Sequence, residues 1–395
     1  MTSTRTANGY AYNIVKDAFG GTFIMDSDET KTFAYIPPRQ TQTNVEFKDD
    51  YVEGDVVEVQ SALEGTLVCV FWNPDISRWE VSTRNGVGCS YSFTRPISKD
   101  QPVKTFREMI VDVFRLRLYM QYKAESDDVR TLEDAFTLNE LPKDLCYTCV
   151  LQHPDNHIVY PSIPYVFYLK IVGVHRGTES IPRGEWGAAC SVFDCNRLRV
   201  ESLSKTAELS SFQSELFKSY EELTEEQTKE LQFDSSDLAN TESAFYPPAW
   251  ILKNTRTGHV CEIANPFYEA AKAKRNMQPN TRFLYLTLLK DGHEKVEDYV
   301  NTFPKYRNEF STFAKEYAEL ADGIYNTYVQ YYILKKREKS YPKQHFVNAA
   351  RLHHNVYLPS IADASGKKPS INLATVYKYL EGLSATKLFY YSTYV

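Results

Sequence analysis

The chain has 395 residues, 43% of them hydrophobic and 24% charged, the composition of an ordinary globular protein with room for two cored domains. No stretch approaches the roughly 18 apolar residues that cross a bilayer, and the opening MTSTRTANGY lacks the apolar centre of a secretory signal, so neither a membrane span nor export by such a signal is expected. The net charge of −6 is unevenly placed: residues 270–395 carry 19 Lys and Arg against 11 Asp and Glu, a net +8, leaving −14 for residues 1–269. Two units with different partners, or simple drift of solvated faces, would give such a split.

Between residues 10 and 200 short β-branched and aromatic runs alternate with turns: GGTFIMD, KTFAYIPP, DVVEV, GTLVCVFW, RWEVSTR, CYTCVLQ, HIVYP and VFYLKIVGV. This pattern predicts mostly antiparallel sheet. One helix interrupts it at KTFREMIVDVFRLRLYMQY, where Phe106, Ile110, Val113, Phe114 and Leu116 or Tyr119 share a face. A second helix is predicted over 206–231, with Leu209, Phe212, Leu216, Tyr220 and Leu223 inward and the acidic run EELTEEQTKE outward. Strand returns at AWILK and HVCEIA, a hairpin about Thr255 to Gly258.

From Asn265 and Pro266 onward the pattern is helical, with Phe310, Phe313, Tyr317, Leu320, Ile324 and Tyr328 at helical spacing and a basic close, Lys335-Lys336-Arg337-Glu338-Lys339. Further helices are predicted at 343–356 and 371–382, the latter capped by Ser370. The expected class is α+β: an antiparallel-sheet unit at 1–269, then an all-helical C-terminal domain at 270–395.

Seven cysteines without a regular framework point to reduced thiols, as in the cytosol. Cys146, Cys149, Cys190 and Cys195 have the residue type for zinc, but a strand turns positions three apart to opposite faces, so buried, inert thiols are the plainer reading. His153 and His157 would suit a metal on a helix, yet Pro154 sets them about a turn. No metal site is expected.

One stretch has the outline of a reactive motif without its reactive group. Ala62-Leu63-Glu64-Gly65 runs directly into Thr66 and the apolar strand LVCVFW. Together with VLQHPDNHIV at 150–159, the RWEVSTR strand, AWILK, HVCEIANPFY and the helical C-terminal region, it resembles the phage-type ATP-dependent RNA ligases. The resemblance is in particular to the ligase-like proteins of large eukaryotic DNA viruses and covers roughly residues 11–395. It implies an adenylation-domain (nucleotidyltransferase) fold for residues 1–269. In such ligases the lysine of a Lys-x-Asp-Gly motif attacks the α-phosphate of ATP, which requires a free amine and cations about the phosphates.

Placed on that family's motifs, this chain has lost the groups that react. Ala62 stands for the lysine, while Glu64 and Gly65 keep the acid and the glycine. Gly20 and Gly21 stand for an Arg-Gly pair, and Val150 for the glutamate before the proline turn. Pro248 and Ala249 stand for a Glu-Gly pair, and Glu262 and Ala264 for the Lys-x-Lys that grips phosphates. A glutamate there repels ATP. The resemblance therefore implies a vestigial nucleotide cleft with no catalytic residue and no cofactor, in which Ala62, Val150 and Glu262 converge.

Three readings follow: a structural or interaction protein on a ligase fold, an RNA-binding module, and an active ligase with a displaced lysine. The acidic first unit argues for the first, since a groove that follows phosphates is expected to be basic. Protein partners are expected, with RNA as the alternative, through Lys335, Lys336, Arg337 and Lys339 beside exposed tyrosines such as Tyr325, Tyr331 and Tyr332. The family resemblance places such a protein in a virion or the host cytoplasm.

Overall fold

A computed structural model describes residues 2–7, 9–18, 21–37, 42–93, 103–122, 136–156, 159, 168–195, 198–202, 206–221, 247–276, 278–362 and 370–393. They fall into two compact units, one reaching residue 276 and the other starting at residue 278.

The first unit holds three sheets, antiparallel except where noted. Strands β1 (Thr2–Ala7), β2 (Tyr10–Lys16), β3 (Thr22–Met25) and β4 (Thr32–Ile36) form a meander. The second sheet uses β6 (Thr66–Asn73), β7 (Arg78–Thr83), β8 (Gly86–Val87), β9 (Cys146–Gln152), β10 (Tyr168–Arg176) and β11 (Glu179–Ser180) in the order β11-β10-β9-β6-β7-β8; β12 (Asp194–Cys195) pairs parallel to β10. The third is β13 (Leu198–Ser202), β5 (Val56–Ser61), β14 (Ala249–Asn254) and β15 (Val260–Ala264), ordered β13-β5-β14-β15.

Alternation along the strands splits the second sheet into two apolar faces. One face, with Val68, Val70, Val81, Tyr147, Cys149, Leu151 and Ile171, packs on Phe106, Ile110, Val113 and Phe114 of α2 (Phe106–Tyr122). The other, with Cys69, Phe71 and Cys146, packs on Tyr12, Ile14, Ile24 and Ile36 of the first sheet. Cys146 and Cys149 thus face opposite ways, as strand geometry requires. Cys69, Cys89, Cys146, Cys149 and Cys261 are free and buried, whereas Cys190 is exposed.

The third sheet buries Val57, Val59, Leu252, Cys261 and Ile263 against Phe47 of α1 (Asn44–Asp49) and Leu209, Phe212 and Leu216 of α4 (Thr206–Glu221). A single turn, α3, covers Ala189–Val192. The side chains of Tyr119 and Tyr220, and residues 222–246 with Leu223 and most of the acidic run, lie outside the described part. The unit ends in α5 (Pro266–Arg275), which starts where Asn265 accepts from the Phe267 and Tyr268 N–H groups and Pro266 needs no partner for its nitrogen.

The second unit is helical: α6 (Thr281–Asp291), α7 (His293–Thr302), α8 (Arg307–Tyr328), α9 (Lys343–Leu352), α10 (Leu358–Ala362), α11 (Leu373–Glu381) and α12 (Ala385–Thr393). The predicted stripe on α8 is buried throughout, from Phe310 to Tyr328. Both α8 and α9 end in a π-helical turn, at 329–333 and 353–357. The expected cap at Ser370 is corrected: Asn372 caps α11, its side chain accepting from Thr375 N–H in a reciprocal capping box. Among the described residues no helix is long and apolar enough to cross a membrane.

Candidate functional site

Residues 62–65 carry the chain from the third sheet into the second. At the exit from β5, the Ala62 N–H donates to Ala249 O at 2.8 Å. At the entry to β6, Gly65 has φ +151°, and a Cβ on it would overlap Leu151 O and lie 2.7 Å from Val150 Cγ1. Only glycine lets this crossing lie so close to β9. Across the third sheet Ala249 stands opposite Ala264, and Ile251 opposite Glu262. In the second sheet Val150 stands opposite Leu67 and Lys170.

Backbone pairing therefore links Ala62, Ala249 and Ala264 in one group, and close approach sets Gly65 against the Val150 side chain in another, the two joined by Leu63 and Glu64. Glu262 lies two residues along β15 from Ala264, on the same face; both are exposed, whereas Val150, Pro248 and Ala249 are buried. The Pro248 carbonyl accepts the Asn265 N–H at 3.0 Å. Gly20 lies outside the described residues; Gly21 closes a tight loop on Asp17, donating its N–H to Oδ1 at 2.7 Å.

Glu64 has a structural task. Its buried carboxylate accepts the Val159 N–H at 3.0 Å, and its carbonyl accepts from Gln152 Nε2 at 3.0 Å. Thr66 Oγ1 donates to Asn156 Oδ1 (2.9 Å), Asn156 Nδ2 donates to Leu151 O (2.8 Å), and His153 Nδ1 accepts the Asp155 N–H (3.1 Å). The acid and the VLQHPDN turn are thus one hydrogen-bonded unit. Thr66 and Gln152 belong to it, and no local pattern marked them. His153 Nε2 also approaches Asp112 on α2 at 3.5 Å. Burial raises the Asp112 pKa, but bonds from His153 and Lys104 outweigh it and bring the group to about 2. His157 lies outside the described residues, and among those described no group of three or more His, Cys, Asp or Glu could hold a metal.

Two half-buried lysines lie on strands of the second and third sheets. Lys170 is half-buried opposite Val150, its ammonium 5.1 Å from the Tyr168 ring centre. Lys253 lies opposite Glu58 and Val260. It is four residues along β14 from Ala249, about 13 Å, further than a lysine side chain spans. His175 is 5% exposed; burial, helped by the charge of Lys253, lowers its pKa to about 4. Its Nδ1 and the Thr148 Oγ1 are buried without a hydrogen-bond partner. Both lie by Gly173, at a bulge in β10, where a Cβ would come within 3.0 Å of His175 Cε1.

In the second unit Lys335, Lys336, Arg337 and Lys339 are exposed. The neighbouring tyrosines correct the expectation of free rings. Tyr325, Tyr331 and Tyr332 are only partly exposed. Tyr331 meets Phe346 edge-on at 5.0 Å, and Tyr332 stacks on His353 at 4.0 Å and 18°. Packing of α8 against α9 and its π-helical turn brings these rings together. Lys290, of the sequence Lys290-Asp291-Gly292, donates to the Glu381 and Leu383 carbonyls and so closes the end of α11.

No protein-family profile and no curated protein matches this chain. Among solved structures it is similar to a chain assigned as an ATP-dependent DNA ligase from Aquifex aeolicus, with 12% identity and a TM-score of 0.42, covering 90% of this chain and 85% of that one. It is also similar to an archaeal ATP-dependent RNA ligase in two forms, each with 12% identity and covering 80% of this chain and 72% of that one, with TM-scores of 0.39 and 0.40.

Proposed function

We propose that residues 1–269 are an RNA-ligase-like adenylation domain that forms no lysyl-nucleotide, and that the protein serves as a structural or interaction component. The observation that carries this reading is the 62–65 crossing. Where a Lys-x-Asp-Gly motif would present an amine, Ala62 presents a methyl group on a backbone tied to Ala249, and Glu64 is engaged by Val159. Glu262, exposed on the same face as Ala264, adds negative charge where phosphates would need cations.

The test is incubation with Mg²⁺ and ATP labelled at the α-phosphate. No covalent nucleotide is expected on the wild-type chain, and one adenylate per chain would overturn the reading. Among the described residues Lys170, half-buried opposite Val150, is the candidate for the displaced-nucleophile alternative. An adduct that disappears in Lys170→Ala would establish that alternative. The particle or host-cytoplasm setting belongs to the same proposal, and fractionation of purified particles, probed for this chain and for bound RNA, tests it.

A further inference from the structure

The connection between α8 and α9 exposes two kinds of side chain that seldom share a tip without a partner. Ile333 and Leu334 are adjacent and 56% and 50% exposed. Directly after them come Lys335, Lys336, Arg337 and Lys339, then Lys343, all exposed, with Glu338 the single acid between 333 and 343. Among the described residues none of Lys335, Lys336 and Arg337 makes an ion pair.

This tip is built rather than frayed. The Leu334 N–H closes the π-helical turn on Val329 O at 2.9 Å, and the Lys336 N–H donates to Gln330 O at 3.0 Å. Lys335 takes the left-handed conformation at φ +57°, and Tyr341 Oη donates to Lys336 O at 2.8 Å. Beneath it, Tyr331 meets Tyr341 and Phe346 edge-on, and Tyr341 lies parallel to Phe346. Fixed backbone thus holds two exposed aliphatic side chains and a net charge of +4 on the connection between α8 and α9.

We infer that this tip docks on an anionic lipid surface, with Ile333 and Leu334 entering the headgroup boundary and the cations meeting lipid phosphates and carboxylates. Two observations favour lipid over nucleic acid. The exposed apolar groups are aliphatic and offer bases no planar face. The aromatic rings that could stack are turned onto Phe346 and His353. A basic cluster beside apolar side chains is the composition of reversible peripheral binding.

The experiment is flotation of the full chain with vesicles of phosphatidylcholine, with and without phosphatidylserine, and in parallel binding to a single-stranded RNA oligonucleotide. The expected result is salt-sensitive binding only to the anionic vesicles. Each cation removed should weaken it about fivefold, so Lys335→Gln, Lys336→Gln and Arg337→Gln together about a hundredfold. Ile333→Ser with Leu334→Ser, which leaves the charge intact, should weaken it at least about tenfold. All five side chains are exposed, so each variant should keep the wild-type helical signal; if the serine pair does not, Leu334→Ser alone replaces it. RNA binding that survives the serine substitutions, without vesicle binding, overturns the inference in favour of nucleic acid. Vesicle binding indifferent to Ile333 and Leu334, or no binding to either, also overturns it.

Discussion

Acidification from pH 7 to pH 5 should weaken the sheet unit through His175, and the size of the effect follows from burial. The imidazole is 5% exposed and its pKa is lowered to about 4, whereas an unfolded histidine titrates near 6.5. Because the folded pKa is the lower one, the unfolded chain binds the extra proton between these values, and stability falls as pH drops through that window. Between pH 7 and pH 5 the loss is about 2 kcal/mol, approaching about 3 kcal/mol at pH 4. The four tryptophans, at 72, 79, 186 and 250, all lie in the first unit, so their fluorescence during urea unfolding reports on it alone. His175→Gln removes the titration, so the variant should lose about 2 kcal/mol less than wild type between the two pH values. Equal losses, within about 0.5 kcal/mol, would refute the reasoning.

A buried carboxylate gives acid sensitivity at lower pH. Arg256 holds Asp55 by two bonds, at 2.7 and 3.0 Å, and keeps its pKa well below the usual carboxylate range; that stability is present above about pH 4 and lost as pH falls further. Arg256→Gln should lower stability at pH 7 and flatten the acid limb, read by the same fluorescence; an unchanged acid limb would contradict the pairing. Gly65→Ala should destabilise by at least about 2 kcal/mol, since it meets both an unfavourable φ and the Leu151 carbonyl; a wild-type melting temperature would contradict the crossing described. Thr148→Val should be neutral or stabilising by up to about 1 kcal/mol, because the hydroxyl is buried without a partner. A loss above about 1 kcal/mol would mean that this hydroxyl is bonded in solution.

Where burial is periodic, the sequence is legible. The α8 stripe, the inward face of α2 and the AWILK hairpin could be read because each repeats an apolar choice at the spacing of its element. The caps were less legible: Ser370 and Asn372 are both good caps, and only the backbone turn decides between them. Helices α1 and α12 went unseen, the first because six residues hardly fill one period. The role of Glu64 was invisible for a different reason. Its partners Val159 and Gln152 are 95 and 88 residues away, so its meaning depends on pairing that no local pattern contains. The tyrosines near Lys335 misled because a ring beside charges in sequence can face a neighbouring helix in space.

The distribution of thiols makes the first unit a recorder of its own opening. All seven cysteines fall between residues 69 and 261, and burial pushes Cys89 to about 12 and Cys261 to about 11, where the reactive thiolate is scarce at neutral pH. An alkylating reagent added to the native protein should therefore mark exposed Cys190 early and the five buried thiols only when strands part. Mass spectrometry of each tryptic peptide over time would then give separate opening rates at Cys69, at Cys89, at Cys261 and at the peptide shared by Cys146 and Cys149, while the helical unit, having no cysteine, adds no signal.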